Sequence, residues 1–241
     1  LRMEKGYRYI GTDLAPGDTP DQAGLAFCAR KDADYIGKDA LERRRAEGFA
    51  TRIRTLKLGD GEWLPAMGGT TFETRDPADR RVLLAHHADS GAGDMAQAVA
   101  AAKRAFPAWR ATPAPRRGEL LYRYAALLAE HKERIARQVV REMGKVLEEA
   151  RGDVQEAIDI AFLMAGEGRR LAGETVPSEL PDKWAMSVRQ PIGVAGIVTP
   201  WNFPMAIPCW KMMPALVTGN TVVFKPASDT PHCATLLVEL M

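Results

Sequence analysis

Residues 193–231, GVAGIVTPWNFPMAIPCWKMMPALVTGNTVVFKPASDTP, leave this chain few folds to choose from. Val194 to Thr199 is a short apolar run rich in β-branched residues between Gly193 and Pro200, which reads as a buried strand. Pro204 to Val217 carries apolar residues at near-helical spacing, with a proline near its start, where a helix tolerates one. Gly219-Asn220 closes that helix, and Thr221 to Lys225 is a second apolar strand. Strand, crossover helix and strand form a βαβ unit, and such units place ligands at the carboxyl ends of their strands. Asn202 and Lys225 both lie just past those ends, so a nucleotide site would be built there.

Pro-Trp-Asn-Phe-Pro, followed after one helix by Gly-Asn-Thr-Val-Val-Phe-Lys-Pro-Ala-Ser, resembles the cofactor-binding segment of the NAD(P)-dependent aldehyde dehydrogenase superfamily. The similarity extends more weakly from about Asp60 to Met241. It implies an α/β fold with an incomplete Rossmann-like NAD(P)-binding domain over residues 59–241. Aldehyde oxidation of this kind needs a nucleophile, donors for the resulting oxyanion, and a nicotinamide to accept hydride. By resemblance, the Asn202 amide donates to the oxyanion; one such donor is worth about 3 kcal/mol of transition-state stabilisation. The alternative is an asparagine supplying turn hydrogen bonds between two prolines.

The resemblance assigns cofactor contacts to Val198, Thr199, Pro200, Trp201 and Asn202 on the nicotinamide side, and to Lys225, Pro226, Ala227 and Ser228 on the other. Lys225 would reach the adenosine ribose and any 2′-phosphate as a point charge. NAD-preferring relatives carry a glutamate where this chain has Ser228; a neutral serine removes its repulsion of a 2′-phosphate, so NADP should be accepted. Phe203, Ile207 and Trp210 correspond to the aldehyde tunnel, although an aromatic–aliphatic stripe is more often simple core. Lys211 matches a lysine tied to proton relay, with a plain surface lysine as the alternative. Cys209 and Cys233 do not occupy the setting of the family nucleophile, and apolar neighbours should leave Cys209 inert. That nucleophile and the general-base glutamate would follow Met241, so the chain as it stands should bind cofactor poorly and turn nothing over.

Residues 1–58 differ in character. Arg2-Met3-Glu4-Lys5-Gly6-Tyr7, Gly11-Thr12-Asp13-Leu14 and Tyr35-Ile36-Gly37-Lys38 follow in an order that resembles the C-terminal part of the folate-binding aminomethyltransferases, closest to dimethylglycine and sarcosine dehydrogenases. That implies a small α+β fragment in which Glu4 would accept hydrogen bonds from a tetrahydrofolate pteridine. A structural ion pair of Glu4 with Arg2 or Lys5 is the alternative. Thr51 to Leu58 reads as a partly exposed strand, and the domain boundary falls near residue 59. Leu1 and Met241 read as cuts through folded material, so a fusion, a fragment or an assembly artefact is expected.

Between boundary and core, Thr70–Ala78 and Arg81–Ala85 read as two short strands. Asp94 should cap a helix that Pro107 and the Pro113–Pro115 cluster end. Leu120, Leu121, Tyr124, Leu127 and Leu128 form the inner stripe of a second helix, and Ile135, Val139 and Met143 that of a third, closed by Gly144. A long helix follows from Val146 to about Leu171, with Ile158, Phe162 and Leu163 facing inward. Lys183–Arg189 reads as an exposed strand feeding, by resemblance, the arm through which subunits form a homo-oligomer. His86 and His87 point to opposite faces of a strand, which argues against one shared metal ion. Arg43-Arg44-Arg45 has Glu42 and Glu47 beside it and reads as a solvated face.

The net charge of +2 gives no electrostatic case for nucleic acid or an acidic membrane surface. Three unclustered cysteines fit a reducing cytoplasm. Rival readings make the folate portion primary, or make the chain a non-catalytic interaction module.

Overall fold

The computed structural model describes residues 63–241 in full, and the backbone alone of Arg52–Ile53 and Leu56–Lys57. The expectations placed on residues 1–50, the aminomethyltransferase-like fragment with Glu4 and the arginine run among them, lie outside the described residues.

Thr51 to Leu58, expected as one strand, supplies two short ones, β1 (Arg52–Ile53) and β2 (Leu56–Lys57). β2 pairs antiparallel with β3 (Trp63–Leu64). β4 (Thr71–Arg75) and β5 (Leu83–Ala88) form an antiparallel hairpin with a register shift at Thr74/Arg75, and β1 joins the other side of β5 in parallel.

Helix α1 (Ala92–Ala111) follows. Asp94 is not its N-cap, as the sequence suggested; Gly91 is, and Asp94 sits at the third helical position with its carboxylate turned back. One oxygen accepts from Gly91 N at 2.8 Å and the other from Met67 N at 2.8 Å, so the residue ties the Ala66–Gly69 turn to the helix start. These amides hold its carboxyl below the usual carboxylate range. Pro107 does not end the helix. It is exposed, so the carbonyl one turn back that loses its amide partner can turn to water.

Helix α2 (Ala114–Glu130) starts on Pro113 and buries Leu121, Tyr124 and Leu128. Leu120 and Leu127, expected inside, are 45% and 37% exposed on the flank of that stripe. Helix α3 (Lys132–Met143) buries Ile135 and Val139 and closes on Gly144 at φ 87°, a left-handed conformation suited to glycine. Helix α4 (Leu147–Glu167) presents a stripe of Ala150, Val154, Ala157, Ala161 and Ala165, all nearly inaccessible. Small residues let α2 and α4 approach closely, and a side chain at Gly118 would run into the Ala165 carbonyl. Ile158 is buried as expected, but Phe162 and Leu163 are 40% and 56% exposed. They lie roughly 100° and 200° around the helix from Ala161 and so miss the stripe.

β6 (Thr175–Val176) and β7 (Ala185–Met186) make a short antiparallel pair within the largely exposed segment 173–190. The expected βαβ unit then follows: β8 (Val194–Val198), α5 (Ala206–Val217) and β9 (Thr221–Lys225), with β8 and β9 parallel from Val194↔Thr221 to Val198↔Lys225. Helix α6 (Pro231–Glu239) completes the chain. The main core joins α2, α3, α4, α5 and α6 to the inner faces of β8 and β9, around Leu128, Val154, Met205, Met213 and Leu237.

Candidate functional site

The βαβ unit is locked at its base by groups distant in sequence. Asn220 Oδ1 accepts from Ile192 N at 2.7 Å and Gly193 N at 2.9 Å, while its amide donates to Ala215 O and Thr218 Oγ1, joining the end of α5 to the start of β8. Buried Arg117 donates from Nε to Val217 O at 2.9 Å and from its fork to Thr112 O, and Trp109 Nε1 donates to Leu216 O at 3.0 Å. Arg117 thereby satisfies the Val217 carbonyl at the end of α5, and Trp109 adds a second donor to the Leu216 carbonyl, which also accepts from Gly219 N. Burial pushes the Arg117 guanidinium below its ordinary value.

At the opposite, carboxyl end, Val198 lies beside Lys225 and Thr199 N donates to Lys225 O at 3.3 Å. The chain then crosses residues 199–205 before α5. Asn202 is exposed in that loop, as are Pro200 and Trp201, while Thr199 is buried. Phe203 and Trp210 stack with ring centroids 6.4 Å apart at 26°, and Ile207 lies between them in sequence, half-buried. The three residues assigned to the tunnel thus share one face of the α5 start. Lys211 is exposed.

Lys225, Pro226, Ala227 and Ser228 line a groove of about 830 Å³. Its walls are mostly apolar, from Val222 and Phe224 of β9, Ala98 of α1, Leu127 of α2 and Val238 of α6. His87 lies at its inner side, wholly buried, with Nε2 paired to Thr74 Oγ1 at 2.9 Å and Nδ1 without a hydrogen-bond partner. Burial, with His232 and His86 nearby, lowers its pKa to about 4, so it is neutral. His86, on the other face of β5, is half-buried. Asn202 and the remaining nicotinamide-side and tunnel residues are not part of the groove lining. Two surfaces therefore meet at one sheet end, a groove with Lys225 and a loop with Asn202.

Sequence reading missed what holds these surfaces. Glu142, at the end of α3, accepts from His232 N and Cys233 N at 2.7 Å each and so caps α6 from a distance. Burial pushes its carboxyl up to about 7. Three residues on, Lys145 Nζ donates to Asn202 O at 2.8 Å and sits 4.2 Å above the Phe203 ring. The same ammonium faces Asp153 Oδ2 at 3.6 Å, both side chains being shielded, and Asp153 Oδ1 accepts from Ala206 N at 2.8 Å. None of these has a local motif, because each partner is remote along the chain.

Cys209 is fully buried, and burial pushes its thiol up to about 12; Cys233 is raised well above its ordinary value for the same cause. Neither is poised as a nucleophile. Among the described residues, no helix is long and apolar enough to cross a membrane.

The donor set suits the adenosine end of a dinucleotide: an exposed ammonium, a hydroxyl three residues on, and apolar walls for a flat base. Asp229 is exposed and does not line the groove.

Comparison with known proteins gives the same direction. The family model described as "Aldehyde dehydrogenase family" matches residues 63–241. The chain is 43% identical over 183 residues to the alpha-ketoglutaric semialdehyde dehydrogenase of Bacillus subtilis, covering 76% of this chain and 38% of that protein. It is 41% identical over 188 residues to the NADP(+) succinate-semialdehyde dehydrogenase of Escherichia coli, covering 78% and 39%. A crystal structure of an E. coli NADP-dependent enzyme superposes with a TM-score of 0.75 at 41% identity, over 78% of this chain and 39% of that one. The chain thus spans about two fifths of the length of these relatives.

Proposed function

The chain belongs to the aldehyde dehydrogenase family, and from that premise we propose that it supplies the nucleotide-binding part of an NAD(P)-dependent enzyme oxidising an aldehyde to a carboxylic acid. The observation that carries this reading is the parallel pair β8–β9, which ends in Lys225 and delivers Lys225 to Ser228 into an apolar groove. The bound nicotinamide would supply the hydride acceptor. Lys225 holds the adenosine ribose and its phosphate, and Ser228 leaves room for a 2′-phosphate without repulsion, so NADP is the favoured form. The E. coli relative named as an NADP(+) enzyme agrees with this preference. Thr199 to Trp201 face the other end of the cofactor, and the exposed Asn202 amide donates to the oxygen that becomes negative as the aldehyde carbon turns tetrahedral. Phe203, Ile207 and Trp210 give the aldehyde an apolar approach, with Lys211 at its outer edge. Semialdehydes are the substrate class, as the relatives' names suggest.

The exposed β6–β7 segment, with Trp184 85% and Met186 61% exposed, supports homo-oligomer formation through this arm. Titration of the chain with tetrahydrofolate tests the separate folate reading, which rests on the order of motifs in residues 1–58 alone.

The decisive experiment grafts residues 63–241 into the E. coli relative in place of its equivalent stretch. NADP-dependent semialdehyde oxidation should persist, and Asn202→Ala should lower kcat roughly 100-fold or more. A folded graft that binds no dinucleotide would overturn the proposal.

A further inference from the structure

The Asn202 loop has few fixings of its own. Thr199 N reaches Lys225 O, Ile207 N reaches Phe203 O, and Asn202 itself is exposed. Its carbonyl is nonetheless gripped by a lysine 57 residues earlier in the chain, at 2.8 Å. That lysine is well placed to stay put: its side chain is only 7% exposed, its charge faces the buried Asp153 carboxylate, and it covers the Phe203 ring. Asp153 in turn holds the first amide of α5, at Ala206. Both ends of the segment 202–206 are therefore fastened to one ion pair. A buried ion pair is weak support for stability as such, because desolvation offsets most of its attraction. Orientation is what it can supply: a fixed peptide plane at 202 leaves the Asn202 side chain few directions, and catalytic donors work by being aimed beforehand.

We propose that Lys145 and Asp153 form a positioning pair that sets the Asn202 peptide, so that its amide is aimed at the oxyanion before the aldehyde arrives. The inference rests on the functional reading above. Lys145 touches neither substrate nor cofactor; it acts through Asn202 and Phe203.

The test is the double variant Lys145→Met/Asp153→Asn. It removes both charges together, so no lone buried charge remains, and the new amide oxygen can still accept from Ala206 N. In the isotope-labelled 241-residue chain, the unfolding midpoint should stay within about 5 °C of the parent, while the amides of Asn202 and Phe203 broaden. In the graft, kcat should fall roughly 10- to 100-fold with KM for NADP moving by less than about 3-fold. Lys145→Arg, which keeps a donor and the charge, should restore most of kcat and guards against a double variant that does not fold.

Asn202→Ala is measured beside it. If that variant lowers kcat and the folded double variant does not, the positioning role is wrong and the functional reading stands. Should Asn202→Ala leave kcat unchanged, the oxyanion assignment fails and takes this inference with it. A double variant that loses stability, NADP affinity and kcat in step would mark the pair as merely structural and overturn the proposal.

Discussion

Ser228 stands exposed three residues past Lys225 at the groove, and its lack of charge is the ground for the NADP preference proposed above. Ser228→Glu in the graft should shift selectivity toward NAD by about tenfold or more, measured as the ratio of kcat/KM values. An unchanged ratio would remove the argument for NADP. Glu142 makes a second prediction, on stability. Its carboxyl is raised from 4.5 to about 7 by burial, so the folded state binds a proton more tightly than the unfolded chain. Its contribution is full below pH 4.5 and is lost as pH rises toward 7. His87 and His232 act in the opposite sense: lowered from 6.5 to about 4, they favour the fold above pH 6.5 and cost stability as pH falls toward 4. Glu142→Gln should therefore gain stability relative to the parent as pH rises from 4.5 to 7, read from paired denaturant titrations. Asn202, Lys225 and Ser228 could be singled out in the sequence because their motifs are contiguous. Arg117, Glu142, Lys145 and Asp153 could not, since their partners lie 100, 90, 57 and 53 residues away.

At the scale of elements, apolar periodicity located α1 to α5, and the βαβ unit emerged with strand ends close to those read from Val194 and Thr221. What periodicity could not settle was which flank of a helix meets a neighbour. Leu120 and Phe162 belong to apolar stripes yet stay exposed, because the alanine stripe of α4 draws α2 close along a different line. Proline was also overread at Pro107, where the helix continues along an open surface. Leu128→Ala, at a wholly buried position, should cost about 2–5 kcal/mol in denaturant unfolding. Gly144→Ala forces a side chain into a left-handed turn and within 2.8 Å of Pro77 Cγ, so a loss of about 1 kcal/mol or more is expected. A neutral result there would mean the bend between α3 and α4 is softer than its geometry implies.

At the scale of the whole molecule, the groove presents apolar ground to solvent, with Leu120 and Leu127 partly exposed on its α2 side. Open apolar ground of this kind promotes association. The 241-residue chain should self-associate with rising concentration in sedimentation velocity, and Leu120→Lys with Leu127→Lys should weaken that association while leaving the unfolding midpoint within about 5 °C.

The bend from Glu142 to Lys145 reaches both sides of the sheet end at once. Glu142 secures the start of α6 behind Ser228, and Lys145 secures the peptide of Asn202. Inserting a single residue into this bend should loosen the start of α6 and the Asn202 peptide together, and with them both halves of the proposed site. Mutational sensitivity in this molecule should accordingly peak in a four-residue hinge that no inspection of the reacting atoms would have flagged.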